Sequence, residues 1–381
     1  SLVSFNIDAF GSFGKAQGDN APVSKQAAFA YGAALNWLLS RGSGRNFRVG
    51  DTTTVFWAEE TGTGEVVADA AETMMSLNFS SLQDADAAAQ SDIAEKLDKM
   101  AKGRPLAEID PRLDAGTRMC VLGLSPNNAR LAVRFWFVET FGKLAENFAS
   151  HYRDLAIEPN TFKQPPQVWS LLYETAAQRK EKNIPPRLGG EIMRAVLTGA
   201  RYPHTLLTAI IGRIRADKTV NGPRAAMCKA VINRDLRLST TGKSKAENKE
   251  IPVALDETNV NTAYLLGRLF SLYEEAEAGV AKRNATIRDR YFGAASATPA
   301  RVYPILMRGY GHNISKLGKG ERAGQAVNIE KAVTGVIGHL TDVLPRTLAL
   351  EDQGRFVVGY YHQQQQRFTK KTTDTSSPKS E

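Results

Sequence analysis

Arg288, Arg290, Tyr291 and Phe292 lie within one short segment, and no other stretch concentrates so much binding chemistry. Guanidinium groups make forked hydrogen bonds to phosphate, and aromatic faces stack on unpaired bases, so this mixture suits a single strand or an RNA–DNA hybrid. The residues leave one alternative open. Tyr291 and Phe292 can belong to a core while the arginines pair with carboxylates of neighbouring helices. Arg301 and Lys316 continue the basic character downstream. Upstream, Arg194, Arg201, Arg213, Arg215, Lys218, Arg224, Lys229 and Arg234 fall, by charge and helical phase, where a polyanion backbone would be met. Lys15 and Lys25 form a second, smaller patch, beside which Phe10 and Phe13 read as core aromatics.

Catalytic patterns are missing from the sequence. His151, His204, His312, His339 and His362 are dispersed, with no HExxH or HxH spacing, so no metal site and no cofactor are expected. His339, beside an apolar stripe, reads as a hydrogen-bonded core residue. Gly242-Lys243-Ser244 resembles the end of a phosphate loop, but Arg237 stands where the first glycine is required, which argues against nucleotide binding. No GxSxG elbow occurs, and the carboxylates of residues 51–114 are too scattered for a nuclease cluster. Cys120 and Cys228, the only cysteines, sit far apart in apolar contexts and are expected to be buried thiols. That pattern fits a reducing cytoplasm. No apolar run reaches membrane-spanning length, so no membrane span is expected, and a secretory signal is not expected either.

The formal charge of +9 over 381 residues is unevenly spread. Residues 1–183 hold 19 basic and 22 acidic side chains, whereas 184–381 hold 30 and 18. Within 187–250 the counts are 13 and 5, so the excess is local. The second half is the part suited to a polyanion. With 42% hydrophobic residues, the chain can support two or three cores.

The elements that must carry these residues change character along the chain. Ser24 is a good N-cap for a helix over Lys25–Leu39, with Ala28, Tyr31, Leu35 and Leu38 at helical spacing. Asn46–Ala58, rich in Thr, Val, Phe and Trp, predicts one strand or the second arm of a bent one. Residues 68–103 read as a helical connector. A β-hairpin follows, Thr117–Leu124 and Arg130–Val138, turned at Ser125–Asn128, and then a helix to about Leu155. Beyond Ile184 the pattern becomes almost wholly helical. Helices are predicted from Pro203 and Pro223, a mobile loop over Ser239–Glu250, and a bundle over Asn259–Arg367. Pro304 predicts a kink or a restart in the helix through Val302 and Leu317, and Pro345 the end of the helix through Ile329 and Leu344. The fold class is therefore an α+β N-terminal part and a mainly α C-terminal part ending in an antiparallel bundle. The expected divisions are 1–164, 165–250, 251–368 and a disordered tail over 369–381.

TIRDRYFGAASATPARVYPILMRGYGHNISKL (Thr286–Leu317), AYLLGRLFSLYEEAEAG (Ala263–Gly279) and EDQGRFVVGYYHQQQ (Glu351–Gln365) together resemble the CRISPR-associated large subunit of the type I-C Cascade complex. SFNIDAFGSFGKAQGDNAPVSKQAAFAYGAALNWLL (Ser4–Leu39), VGDTTTVFWAE (Val49–Glu59) and VLGLSPNNARLAVRFW (Val121–Trp136) resemble it in the same order. The resemblance implies that a region preceding Ser4–Leu39 in the family is missing here. It implies a noncatalytic subunit that binds target DNA, contributes to reading the protospacer-adjacent motif, steadies the opened strands and helps recruit the helicase-nuclease. Its partners would be the repeated backbone subunits, the guide-handle-binding subunit, the small subunit, the helicase-nuclease and, through the complex, the CRISPR RNA. The segment 251–368 would be the part that resembles the small subunit. Base pairing would read sequence while protein contacts read a short duplex motif and backbone shape. A nucleic-acid-processing enzyme, or an assembly scaffold without direct DNA contact, are the alternative readings.

Overall fold

The computed structural model describes residues 8–21, 23–59, 64–79, 87–127, 130–162, 164–239, 249–280, 285–340 and 343–368. The chain forms two compact units, one of residues 1–153, 164–173 and 180–200, the other of residues 154–163, 174–179 and 201–381.

In the first unit, helix α1 (Lys25–Leu39) starts where the Ser24 hydroxyl accepts the Ala27 amide at 3.1 Å, as its capping role requires. Of its predicted apolar stripe only Leu38 is fully buried; Tyr31, Phe29 and Trp37 are exposed. Helical spacing made the helix without securing it a cover among the described residues. Strands β1 (Asn46–Val49) and β2 (Thr52–Ala58) occupy the stretch read as one strand or the second arm of a bent one. Gly50, at φ +62°, reverses the chain between them, a conformation open to a residue without Cβ.

Next come α2 (Glu65–Leu77), α3 (Ala87–Ala101) and the short α4 (Leu106–Ile109). The stretch read as a connector is partly core, because α2 packs on β2 and buries Ala71, Met74 and Met75. Buried Glu72 on that helix accepts the Ala58 amide at 2.8 Å and pairs with Arg45. The predicted hairpin is β3 (Arg118–Asn127) with β4 (Arg130–Thr140), and the sheet order is β1-β2-β3-β4, all antiparallel. Pairing continues to Asn127 opposite Arg130, so Ser125 and Pro126 extend β3. A bulge lies between Gly123, opposite Phe135, and Leu124, opposite Val133, which leaves Arg134 as the extra residue. The bulge turns Phe135 inward over Gly123, where a Cβ would meet its ring at 2.5 Å, and leaves Leu131, Val133, Trp136 and Val138 exposed on β4.

Helix α5 (Phe141–Leu155) ends where predicted and is followed by α6 (Val168–Tyr173) and α7 (Leu188–Thr198). Phe79 joins sheet to helix here: its ring lies 4.0 Å from Phe47 and 5.5 Å, edge-on, from Phe148.

The second unit contains α8 (His204–Asp217), α9 (Gly222–Arg237), α10 (Thr262–Val280), α11 (Ile287–Ala295), α12 (Pro299–Gly318), α13 (Ala323–Ile337) and α14 (Leu350–Gln366). The expected α+β and mainly α character of the two parts is therefore observed. The bundle is organised around α10 and α14, which touch backbone to backbone. A Cβ on Gly267 would sit 2.1 Å from the Phe356 carbonyl oxygen, and one on Gly359 would sit 2.2 Å from that of Tyr264. Phe270, Phe292, Phe356 and Tyr360 fill the space beside this contact in edge-to-face pairs 5.2–6.0 Å apart.

Two details depart from expectation. Helix α12 runs through the exposed Pro304 without the predicted break, held by buried Val302, Leu306, Ile314 and Leu317. Helix α13 stops at Ile337, well before Pro345, because Gly338 is a poor helix former; His339 beyond it is exposed, not a core residue. Both cysteines are buried free thiols, and burial pushes Cys120 up to about 11 and Cys228 up to about 12. The predicted mobile loop falls largely on residues 240–248, and the predicted tail on 369–381, outside the described residues.

His362 on α14 links this core to pH. The Tyr264 hydroxyl accepts the Asp256 amide at 3.1 Å and shares a hydrogen bond with His362 Nδ1, 2.9 Å away. Burial, reinforced by the Lys229 ammonium, pushes His362 down to about 4. An unfolded imidazole titrates near about 6.5. Between those values the unfolded chain holds a proton that the folded chain lacks, so stability is complete above about 6.5 and falls as pH drops toward the folded value. Melting temperatures measured across this window are expected to fall with acidification, and His362→Gln is expected to flatten part of that slope.

Candidate nucleic-acid interface

The basic residues selected from the sequence separate into an inward set and an outward set. On α9, Arg224, Lys229 and Arg234 are all buried, with relative exposures of 4%, 2% and 1%. Arg224 donates to Asp217 at 2.6 Å and lies 3.2 Å from Glu174. Arg234 lies 2.7 Å from buried Asp154, with its guanidinium 4.2 Å from the centre of the Tyr202 ring. Arg237 pairs with the second oxygen of Asp154. Burial pushes the Lys229 ammonium down to about 8. Helical phase placed these side chains opposite the apolar face of α9, and the unit covers that side as well.

The cluster Thr286–Phe292 is partly engaged within the unit. Phe292 belongs to the aromatic core, Arg290 pairs with Glu277 at 2.6 Å, and Arg288 Nε lies 3.6 Å from Glu274. Arg290 rests 5.3 Å from the centre of the Tyr291 ring. The core alternative is therefore met by Phe292 and by the two arginine–glutamate pairs, whereas Tyr291 is only half-buried. Both glutamates stand on α10, one and two turns from its end, which no local reading of residues 286–292 could reveal.

Elsewhere, Arg213 pairs with Asp217, Arg215 donates to Gln353 Oε1 at 2.6 Å, and Arg201 donates to the Leu238 carbonyl at 2.8 Å. Lys218, at the C-terminal end of α8, is exposed. In the first unit Arg194, Lys15 and Lys25 are exposed, and Phe13 is 94% exposed instead of buried; the side chain of Phe10 lies outside the described residues.

Helix α12 is different. Its 20 residues include no Asp or Glu. Val302, Tyr303, Leu306, Ile314 and Leu317 face inward, while Arg301, Ile305, Arg308, His312 and Lys316 are exposed at spacings of four, three, four and four. That spacing lines one face over about 22 Å of helix. Among the described residues, no carboxylate pairs with Arg301, Arg308 or Lys316. The face carries three cations without a carboxylate partner among the described residues, with Ile305 and His312 between them.

A family model for the CRISPR-associated protein (Cas_Csd1) matches residues 1–368. The chain belongs to that family. It is therefore a CRISPR-associated Cascade subunit, which implies assembly with other Cas subunits, and the resemblance carried by the ordered motifs is borne out at this level. A comparison with curated proteins finds no match. Among the described residues of this Cas_Csd1 chain, no helix is long and apolar enough to cross a membrane. Arg308 and His312 were not among the candidates drawn from the sequence. The signal for Arg308 was present in its heptad spacing from Arg301, but the Arg-rich cluster just upstream drew the assignment away.

Proposed function

We propose that this Cas_Csd1 chain is the noncatalytic large subunit of a type I-C Cascade complex, and that the α12 face carries a target-DNA backbone. The array Arg301, Arg308, His312 and Lys316, free of acidic partners, carries this reading. Cations already neutralised by internal carboxylates cannot release counterions from DNA, whereas these can. Arg194, Lys218, Lys15 and Lys25 are further exposed cations available to a strand. Contribution to protospacer-adjacent-motif reading, strand stabilisation, helicase-nuclease recruitment and a cytoplasmic location are parts of the same proposal.

The test is DNA binding by the purified chain across a salt series. If Arg301, Arg308 and Lys316 each neutralise one phosphate, the triple variant R301E/R308E/K316E should lose about 2 to 3 from the magnitude of the log K against log salt slope. Arg213→Gln, whose charge is engaged by Asp217, should leave the slope nearly unchanged. An unchanged slope in a folded triple variant would sink the proposal. If that variant also fails to join the other Cas subunits, the scaffold reading takes its place.

A further inference from the structure

We infer that His204, Asp235 and Glu351 form a binding site for a divalent first-row transition ion that clasps the ends of three helices in the second unit. One ligand atom from each lies within 4.8 Å of the other two. His204 opens α8, Asp235 stands in the last turn of α9, and Glu351 lies in the first turn of α14. The residues are 31 and 116 positions apart, so no sequence spacing announces them.

The second observation is the state of Asp235. It is 8% exposed, and neither carboxylate oxygen has a hydrogen-bond partner among the described residues. The nearest basic side-chain atoms are His204 Nε2 and an Arg201 nitrogen, each 3.9 Å away and beyond hydrogen-bond distance. A buried carboxylate without hydrogen bonds is costly, and the negative end of the α9 dipole makes this one costlier. Burial without hydrogen-bond donors is the condition that a bound cation relieves.

The donor set selects the ion. One imidazole nitrogen with two carboxylate oxygens suits zinc or its neighbours better than calcium or magnesium, which prefer oxygen alone. Around a tetrahedral zinc with bonds of about 2.0–2.2 Å, ligand atoms stand about 3.4 Å apart. His204 and Glu351 are exposed and can close the remaining gap by side-chain rotation, while Asp235 is held by burial. Three protein ligands leave a fourth position for water. Bound there, the ion would tie the start of α8 and the start of α14 to the end of α9.

The experiment uses the full chain, stripped with chelator, loaded with zinc and desalted, with the retained metal counted by atomic spectroscopy. Wild-type protein should keep about one zinc per chain and melt at a higher temperature when loaded. His204→Gln and Glu351→Gln alter exposed side chains and should fold; each should weaken zinc affinity on the order of tenfold or more and abolish the thermal gain. Zinc retained equally by both variants, or no zinc retained by the wild type, would overturn the inference and leave the three residues as an ion-pair cluster with Arg201.

Discussion

Gly267→Ala is expected to destabilise the helical unit by about 3 kcal/mol or more, at or beyond the usual upper range for overpacked cores. The new methyl would stand 2.1 Å from the Phe356 carbonyl oxygen and within 2.8–2.9 Å of two further backbone atoms of α14. Flexible side-chain ends can yield to such a clash; carbonyl oxygens inside a helix cannot move without breaking its ladder. Gly359→Ala meets the mirror situation against the Tyr264 carbonyl at 2.2 Å, and should behave alike. Gly354→Ala offers a graded comparison, because its methyl would meet only the side-chain ends of Ile232 and Leu207 at 3.0 and 3.2 Å. On the exposed side of α13, a Cβ on Gly335 would meet nothing within 4 Å. There the same substitution should stabilise by about 0.5–1 kcal/mol through helix propensity alone. Urea denaturation of the four variants tests the ordering; a Gly267→Ala protein as stable as Gly335→Ala would refute the close approach of α10 and α14.

The second large effect is expected at Asp154. Replacing it with Ala removes the carboxylate that serves both Arg234 and Arg237, and Arg234 is only 1% exposed. An uncompensated buried charge of this kind costs about 3–5 kcal/mol. The Asp154→Leu/Arg234→Met double variant should recover most of that loss, because removing both charges also removes their desolvation cost. By contrast, Lys102→Ala breaks an exposed pair with Asp98 and should cost less than about 1 kcal/mol. Chemical unfolding of the three proteins is the measurement. Equal losses from Asp154→Ala and Lys102→Ala would show that Arg234 is solvated.

These expectations concern residues whose surroundings the linear sequence hides to different degrees. Helix α1 was legible to the residue, because Ser24 is a local cap and the apolar spacing from Ala28 runs out at Leu38. The β3–β4 hairpin was legible too, since β-branched and aromatic runs act over a few positions, although Ser125 and Pro126, read as turn residues, extend β3. The division of β1 from β2 depended on one glycine with positive φ, inside a run that otherwise reads as continuous strand. The basic face of α9 was misplaced for another reason. Amphipathic phase shows which side of a helix is polar, but not whether a distant Asp154 or Glu174 waits there to cover it.

What the sequence by itself determined is therefore local and cumulative: which segments coil or extend, where they begin, the basic excess of the second half, and the ordered motifs that place the chain among CRISPR-associated subunits. Only the tertiary structure decided which of those charges are free. A guanidinium is attracted equally by a phosphate and by a carboxylate of its own chain, and the choice turns on residues dozens of positions away. Folding drew Arg224, Arg234, Arg288 and Arg290 onto internal acids and left Arg301, Arg308 and Lys316 facing outward, because α12 spends its apolar face on α10 and α13 and no acidic residue reaches the other side among those described.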